Sequence, residues 1–385
     1  MEQHTPVTNS MDSILQQLAQ CIDCPEDKAE MLDPAQYHDT DLLELEIDRI
    51  FRTEWICVAR TDQLEKPGDY LTTELVGEQL LVVRTRENEL VTYSNVCRHR
   101  YFPVAHGSGN AERFTCDYHK WTYGLDGRLL GAPGMQGTSL DKRTCRLPEI
   151  PTEIWNGFVF VNLDRDAEPL APRIAALSER TAAYELEAMS AVAIDDSIWA
   201  GNWKLTMENA LDSYHHMGLH EKSLQADMPG LGTEFQGDHE TWAHHHTPFS
   251  ERFADEVAQT VPQSTARLRP EDRATMNVFY IYPSFVMPLL PVYGNWLSII
   301  PINLGETRVF TGLLFGDEYR ETSGVDEQTL AAQSLDSLRA INAEDQEATL
   351  RLQRSTQSRF IERGVMSRKE IGILHFYRYL ARKLL

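Results

Sequence analysis

Two cysteines and two histidines in mixed pairs are the residues of this chain most able to do chemistry. They read Cys97-Arg98-His99 and then, after a spacer, Cys116-Asp117-Tyr118-His119. Two thiolates can hold one iron of a [2Fe–2S] cluster while two imidazoles hold the other, which raises the reduction potential. Zinc is the competing reading, but zinc sites more often group like ligands as C-x2-4-C and H-x3-5-H. Here each pair mixes a thiol with an imidazole, as two neighbouring loops clamping a cluster would require.

A second concentration of ligands follows in Asn202–His220, which holds His215, His216 and His220. Two histidines and one carboxylate can bind Fe(II) on one face and leave positions open for dioxygen. On an unbroken helix His216 and His220, at i and i+4, share a face, whereas His215 and His220 point well apart. The carboxylate must come from far along the chain. Ala343-Glu344-Asp345-Gln346-Glu347 offers three candidates on one expected helix, and chemistry alone does not choose among Glu344, Asp345 and Glu347. Asp212, three residues before His215, can lie beside that ring and orient it. His244-His245-His246 is a further cluster, read as an exposed loop or strand without metal.

At these residues the chain resembles the Rieske-type non-haem iron oxygenases, the terminal components of ring-hydroxylating and N-demethylating systems. Arg98 and Arg100 flank His99 as in that family. Its second loop commonly reads C-P-Y-H-G-W, and here Asp117 and Lys120 depart from the pattern at positions that supply no ligand. The resemblance implies that Cys97, His99, Cys116 and His119 hold the Rieske [2Fe–2S] cluster. Its D-x-Y-H-x-x-x-x-H pattern assigns His215 and His220 to mononuclear Fe(II), which requires the helix to break near Met217-Gly218. It assigns the carboxylate to Asp345, with Gln353 and Ser358-Arg359-Phe360 fitting downstream. It also makes Asp212 the bridge from His215 to a Rieske histidine, His119, of a neighbouring subunit in a homotrimer. The implied activity is hydroxylation of a small organic substrate with O2. Aromatic acids and quaternary ammonium compounds such as choline, betaine and carnitine rank about equally, since Asn209-Ala210-Leu211-Asp212 departs from the glutamate usual among the ammonium oxidisers. The rival reading is an electron-transfer protein without a working mononuclear site.

The elements needed to position these residues are legible as patterns. Strand-like runs at Trp55–Ala59, Tyr70–Leu75, Gln79–Arg84, Leu90–Asn95 and Phe158–Leu163, with a hairpin signal at Leu125-Asp126-Gly127-Arg128, predict an all-β domain over 45–165. A polar break, Asp164–Pro169, separates it from a mixed α+β catalytic domain over 166–385, an antiparallel sheet with helices of helix-grip type. Residues 1–44 form an N-terminal segment that packs with the catalytic domain or stays partly disordered, with a short helix over Met11–Cys21 and another starting at a Thr40 N-cap. In the catalytic part, Ala171–Leu186 reads as helix, 221–275 as a long irregular lid, 278–315 as aromatic-rich strands and 328–385 as helix. The aromatics at 279–296 suit a sheet core, with cation–π contact to an ammonium group as the alternative.

Composition narrows the partners. A net charge of −22 on 385 residues disfavours nucleic acid. No apolar run approaches the ~20 residues of a membrane span, and the start lacks a signal-peptide h-region, so the cytoplasm is the expected location. No GxGxxG motif is present, so electrons from NAD(P)H arrive only through a separate reductase, with or without a ferredoxin. Cys21-x-x-Cys24 stands without a second pair, and Cys57 and Cys145 read as buried small hydrophobes.

Overall fold

The computed structural model describes residues 11–385 and divides the chain into two compact units, Phe51–Leu170 and a second unit of residues up to Ile50 together with Ala171–Leu385. Both transitions fall a few residues beyond the expected boundaries.

The first unit is built from short antiparallel strands. Asp69–Leu75, Glu78–Arg84 and Leu90–Ser94 form the centre of a five-stranded sheet, edged by Ser108–Asn110 and Glu149–Ile150. The tight turn between the first two places Val76 and Gly77 at positive φ, as a two-residue hairpin matched to strand twist requires. Arg113–Thr115, Thr122–Gly124 and Leu129–Gly131 make a second, three-stranded sheet, and the expected Asp126-Gly127 turn joins its last two strands with Gly127 at φ +76°. A third sheet pairs Ile56–Arg60 and Thr152–Trp155 on either side of the fully buried Phe158–Val161. Leu81, Val83, Tyr93, Phe114, Trp121 and Tyr123 are among the side chains that fill the core beneath the two cysteine loops.

The second unit carries one seven-stranded antiparallel sheet, in the order Ser190–Ala200, Glu306–Phe315, Tyr293–Asn303, Phe285–Leu289, Thr275–Ile281, Trp242–Pro248, Glu234–Asp238. The 29-residue helix Glu327–Ser355 packs on the Ser190–Ala200 strand and beside the helix Trp203–Ala210. Among the described residues no helix is long and apolar enough to cross a membrane.

Four expectations need correction. The N-cap of the Thr40–Glu46 helix is Asp39, whose carboxylate accepts from the Leu42 N–H at 2.8 Å; a carboxylate one residue earlier outcompetes the Thr40 hydroxyl. Ala171–Leu186 is not one helix but short pieces, Leu170–Arg173 and Ala175–Thr181, followed by 3-10 turns around a left-handed Glu185. Residues 221–275 are not an irregular lid: they contribute the last two strands on one side of the sheet, Trp242–Pro248 and the edge strand Glu234–Asp238, and the helices Glu251–Thr260 and Pro262–Arg267. The histidine triplet lies on one of those strands, so His244 and His245 are buried. Alternation gives each ring a different partner: His244 bonds Asn277 and stacks on Phe279, His245 meets the Ser213 hydroxyl, and His246 meets Gln236.

The N-terminal residues 11–50 are ordered against the catalytic core. The Met11–Ile22 helix packs on the Ile371–Leu384 helix. Glu46 and Lys204 form a fully buried ion pair at 2.7 Å, and the Trp203 indole N–H donates to the second Glu46 oxygen. A lone buried charge would be far costlier than this satisfied pair, so the contact fixes the register of the Trp203–Ala210 helix. On that helix Glu208 accepts from the Tyr37 and Tyr377 hydroxyls at 2.8 and 2.9 Å, and burial pushes its carboxyl up to about 7.

Candidate metal centres

The two cysteine loops share one construction. In the first, the Cys97 N–H donates to the Phe102 carbonyl and the Tyr101 N–H to the Cys97 carbonyl; in the second, Cys116 pairs in the same way with Trp121 and Lys120. The fourth residue after each cysteine must turn left-handed, and Tyr101 and Lys120 do so at φ 60° and 59°. Lys120 therefore takes the backbone shape that a glycine there would supply more cheaply. Its ammonium lies 2.8 Å from Asp117, so the two departures from C-P-Y-H-G-W pair with each other across an exposed loop.

These loops bury both thiols and leave the imidazoles nearer the surface. The Cys116 thiol is within hydrogen-bonding reach of Cys97, whose sulfur also lies 3.4 Å from the Tyr123 hydroxyl. The His99 and His119 rings sit 4.5 Å apart, and His99 stacks on Trp121 at 4.8 Å. Among the described residues, the buried His99 Nδ1 has no hydrogen-bond partner. Paired thiols, paired rings and an orphaned ring nitrogen fit a cluster with one sulfur-held and one nitrogen-held iron. Of the other cysteines, Cys21 and Cys57 are buried, while Cys24 and Cys145 are only half-buried.

The second centre is placed by a helix that stops early. Asn202 caps the Trp203–Ala210 helix by accepting from the Lys204 N–H. The helix ends at Ala210, before the histidines, rather than near Met217-Gly218 as the i, i+5 spacing suggested. Asp212 then lies on no helix. Its Oδ1 accepts from the His215 N–H at 2.9 Å and starts a separate 3-10 turn, Tyr214–Met217. Gly230 holds that turn from outside, since a Cβ there would lie 1.9 Å from the Ser213 carbonyl oxygen.

Without a continuous helix, the i, i+5 pair can converge. The His215 and His220 rings are 5.0 Å apart, and one ligand atom each of His215, His220 and Asp345 lie within 4.8 Å of one another. Asp345 Oδ1 is the common point: His220 Nε2 at 3.1 Å, His215 Nε2 at 3.9 Å and the Asn209 amide at 2.8 Å. The opposite ring nitrogens are also backed by carboxylates, His215 Nδ1 by Asp212 at 3.1 Å and His220 Nδ1 by Glu344 at 2.5 Å. Such backing fixes the tautomer and aims Nε2 at a metal. Burial works against a charged His220, but Asp345 and Glu344 outweigh it and raise its pKa; a Ser223 hydroxyl bond, with His220, holds Glu344 below its ordinary value. His216 is buried beside the other two rings, where burial lowers it to about 4 and its Nδ1 donates to the Met228 carbonyl. Two histidines, one carboxylate and open cavity beside them are the donor set that Fe(II) takes for oxygen chemistry.

The helix sorts the three acidic candidates. Glu344 and Asp345 flank His220, while Glu347 points away to an exposed pair with Arg351. Glu344 as a backing group and Asn209 as a donor to Asp345 are roles the sequence did not announce. Glu344→Gln is expected to weaken iron retention roughly ten- to a hundredfold, read as iron lost on dialysis against a chelator, with the cluster absorbance unchanged. Retention equal to that of the unaltered protein would deny Glu344 this role.

A cavity of about 540 Å³ opens beside His215, His220 and Asp345. Phe279, Tyr280, Trp296 and Phe310 are buried in the sheet instead, and of the aromatics at 279–296 Tyr293 alone lines the cavity.

A model of the ring hydroxylating alpha subunit (catalytic domain) matches residues 179–385, more than half of the chain. The chain belongs to that family. A Rieske [2Fe-2S] domain model matches residues 54–151. Among relatives, the carnitine monooxygenase oxygenase subunit of Acinetobacter pittii is 33% identical over 199 residues, covering 50% of this chain and 53% of the relative. The match thus spans about half the length of that relative. The carnitine monooxygenase oxygenase subunit of Escherichia coli is 29% identical over 68% of each chain. The chloroplastic choline monooxygenase of Amaranthus tricolor is 28% identical over 90% of this chain and 76% of its own. In fold, the chain is similar to a quaternary ammonium Rieske monooxygenase (TM-score 0.81, 22% identity, 96% and 98% of the two chains). It is also similar to naphthalene 1,2-dioxygenase from Rhodococcus sp. (0.78, 18%, 98% and 99%). As a ring hydroxylating alpha subunit with a Rieske domain, the chain has residues that fit both a [2Fe–2S] cluster and mononuclear iron.

Proposed function

We propose that this alpha subunit is the terminal oxygenase of a multicomponent system and inserts oxygen into a C–H bond of a small organic substrate. The observation that carries the reading is the convergence of His215, His220 and Asp345 beside a cavity, in a chain that also presents the paired cysteine–histidine loops. When bound, the two iron groups supply one-electron storage and dioxygen activation. For a monooxygenation the balance is one C–H bond, O2, two electrons and two protons giving C–OH and water.

The remaining roles belong to the protein. Cys97, His99, Cys116 and His119 hold the cluster in a Rieske domain over 45–165; His215, His220 and Asp345 hold the mononuclear iron in a catalytic domain over 166–385. Asn209 and Glu344 keep Asp345 and His220 aimed, and the apolar cavity excludes water from the reacting carbon. Asp212 uses Oδ1 for both of its bonds to His215, and no hydrogen bond to its Oδ2 occurs among the described residues. That second oxygen suits a ring N–H from His119 of another copy in a homotrimer. A separate reductase, with or without a ferredoxin, supplies electrons that originate in NAD(P)H. The setting is cytoplasmic, with neither nucleic acid nor membrane as a partner. Carnitine, glycine betaine and choline are the substrates that the relatives raise, beside aromatic compounds.

Metal analysis separates this reading from an electron-transfer protein. About three irons per chain and substrate-dependent O2 uptake with a surrogate reductase are expected. About two irons, with a cluster that cycles but no uptake, would establish the carrier.

A further inference from the structure

The cavity beside the metal ligands has a mouth, and its wall shows where. Gln333, Ser337, Ile341 and Asp345 stand four residues apart on the Glu327–Ser355 helix, and all four line the cavity. At that spacing they form one stripe, with about 18 Å of helix axis between the first and the last. Along it the side chains pass from exposed at Gln333 and Ser337 to half-buried at Ile341 and Asp345. Among the described residues of the lining, one other is exposed: Glu256, on the Glu251–Thr260 helix, which turns Phe253, Val257 and Thr260 to the same space. The two helices are thus the lips of a cleft, whereas Met276, Val278 and Val286 of the sheet are buried behind it.

The lips are held unequally. The Glu327–Ser355 helix packs on the Ser190–Ala200 strand and buries Leu330, Ser334 and Leu338 on its way to Asn342. Within its own span, the Glu251–Thr260 helix buries only Val257. Its other ties are peripheral: the Ser250 N-cap, an ion pair from Arg252 to Asp227, and a Thr322 hydroxyl that donates to the Thr260 carbonyl at 3.4 Å. Arg252 is exposed, and exposed pairs contribute little. An element with so small a buried anchor opens at lower cost than the sheet beneath it. A second cavity, of about 270 Å³, shares Val292 and Tyr319 with the first and is the competing door. Both shared side chains are only half-buried, and none of the three exposed lining residues borders it.

We propose that a substrate reaches the metal end through the cleft between these two helices, that Glu256, Gln333 and Ser337 set the size of what passes, and that Glu251–Thr260 is the lip that yields. This rests on the oxygenase reading only in naming the guest a substrate. The route serves any molecule that fills the cavity.

Thiol labelling of the full chain carrying both iron groups tests it. Ile341→Cys puts a thiol on the stripe between the rim and Asp345. Mass spectrometry of its peptide reads the rate with methyl and benzyl methanethiosulfonate, a small and a bulky reagent. Ser337→Trp and Glu256→Trp, on opposite lips, are each expected to slow the benzyl reagent by roughly tenfold or more while changing the methyl reagent by less than about threefold, so the small reagent reports that the cavity is still formed. Val257→Ala, which loosens the yielding lip, is expected to speed the benzyl reagent by roughly fivefold. Tyr319→Trp, at the second cavity, is expected to leave both rates within about twofold. Unchanged benzyl labelling in either lip variant, equal slowing of the two reagents, or slowing by Tyr319→Trp as large as by the lip variants would overturn the route. No acceleration in Val257→Ala would overturn the yielding lip. Labelling needs no turnover and the iron count decides the oxygenase reading separately, so an error in either shows without the other.

Discussion

His215→Ala is expected to lower iron from about three to about two per chain and to cut product formation by roughly a thousandfold or more, with the cluster's visible spectrum unchanged. The size follows from how little else the site has. Asp345 Oδ1 gathers His215, His220 and Asn209, and Asn209 is an amide that cannot replace an imidazole at a metal. His216, next in sequence, is held differently: its Nδ1 is taken by the Met228 carbonyl, and it is not part of the group that converges on Asp345. The same substitution also strips Asp212 of the ring it positions. Iron retention near three per chain, or sustained turnover, would show that the assigned triad is wrong.

Asp212→Asn is expected to behave differently, with both iron contents kept and reoxidation of the reduced cluster slowed by roughly a hundredfold. An amide can still accept from the His215 N–H, so the 3-10 turn should survive. What is lost is the negative charge behind His215 Nδ1 and a second oxygen able to take a donor from elsewhere. Stopped-flow single turnover, started by adding O2 and substrate to the reduced protein, reads the step directly. If the cluster empties at the unaltered rate, Asp212 is only a turn-forming residue, and the link between copies runs by another route.

The parts of this molecule visible in its sequence are those fixed by short-range periodicity or by turn chemistry. The strands near 56–60, 69–75, 78–84 and 90–94 alternate within a domain of hairpins, and Asp126-Gly127 marks its own turn. The carboxylate ligand was visible only as a choice of three, because a helix places neighbouring acids about 100° apart and the sequence does not say which direction faces His220. Long-range geometry was invisible. Asp212 outcompetes helix continuation by capturing the His215 N–H, and Gly230, which supports the turn, lies fifteen residues from His215. The polar 221–275 stretch hid two strands because two of the buried positions of Trp242–Pro248 are histidines, which read as polar, and the outermost strand, Glu234–Asp238, is mostly exposed.

The paired cysteine loops also bear on how the cofactor is kept. Tyr101 and Lys120 each hold a side chain where L-residues are disfavoured by roughly 1–2 kcal/mol, a tension that glycine would relieve. Each clamp offsets that tension with its own two backbone hydrogen bonds. The seat for the inorganic core is thus set by the polypeptide itself, and whatever weakens those two latches loosens the grip on what lies between them.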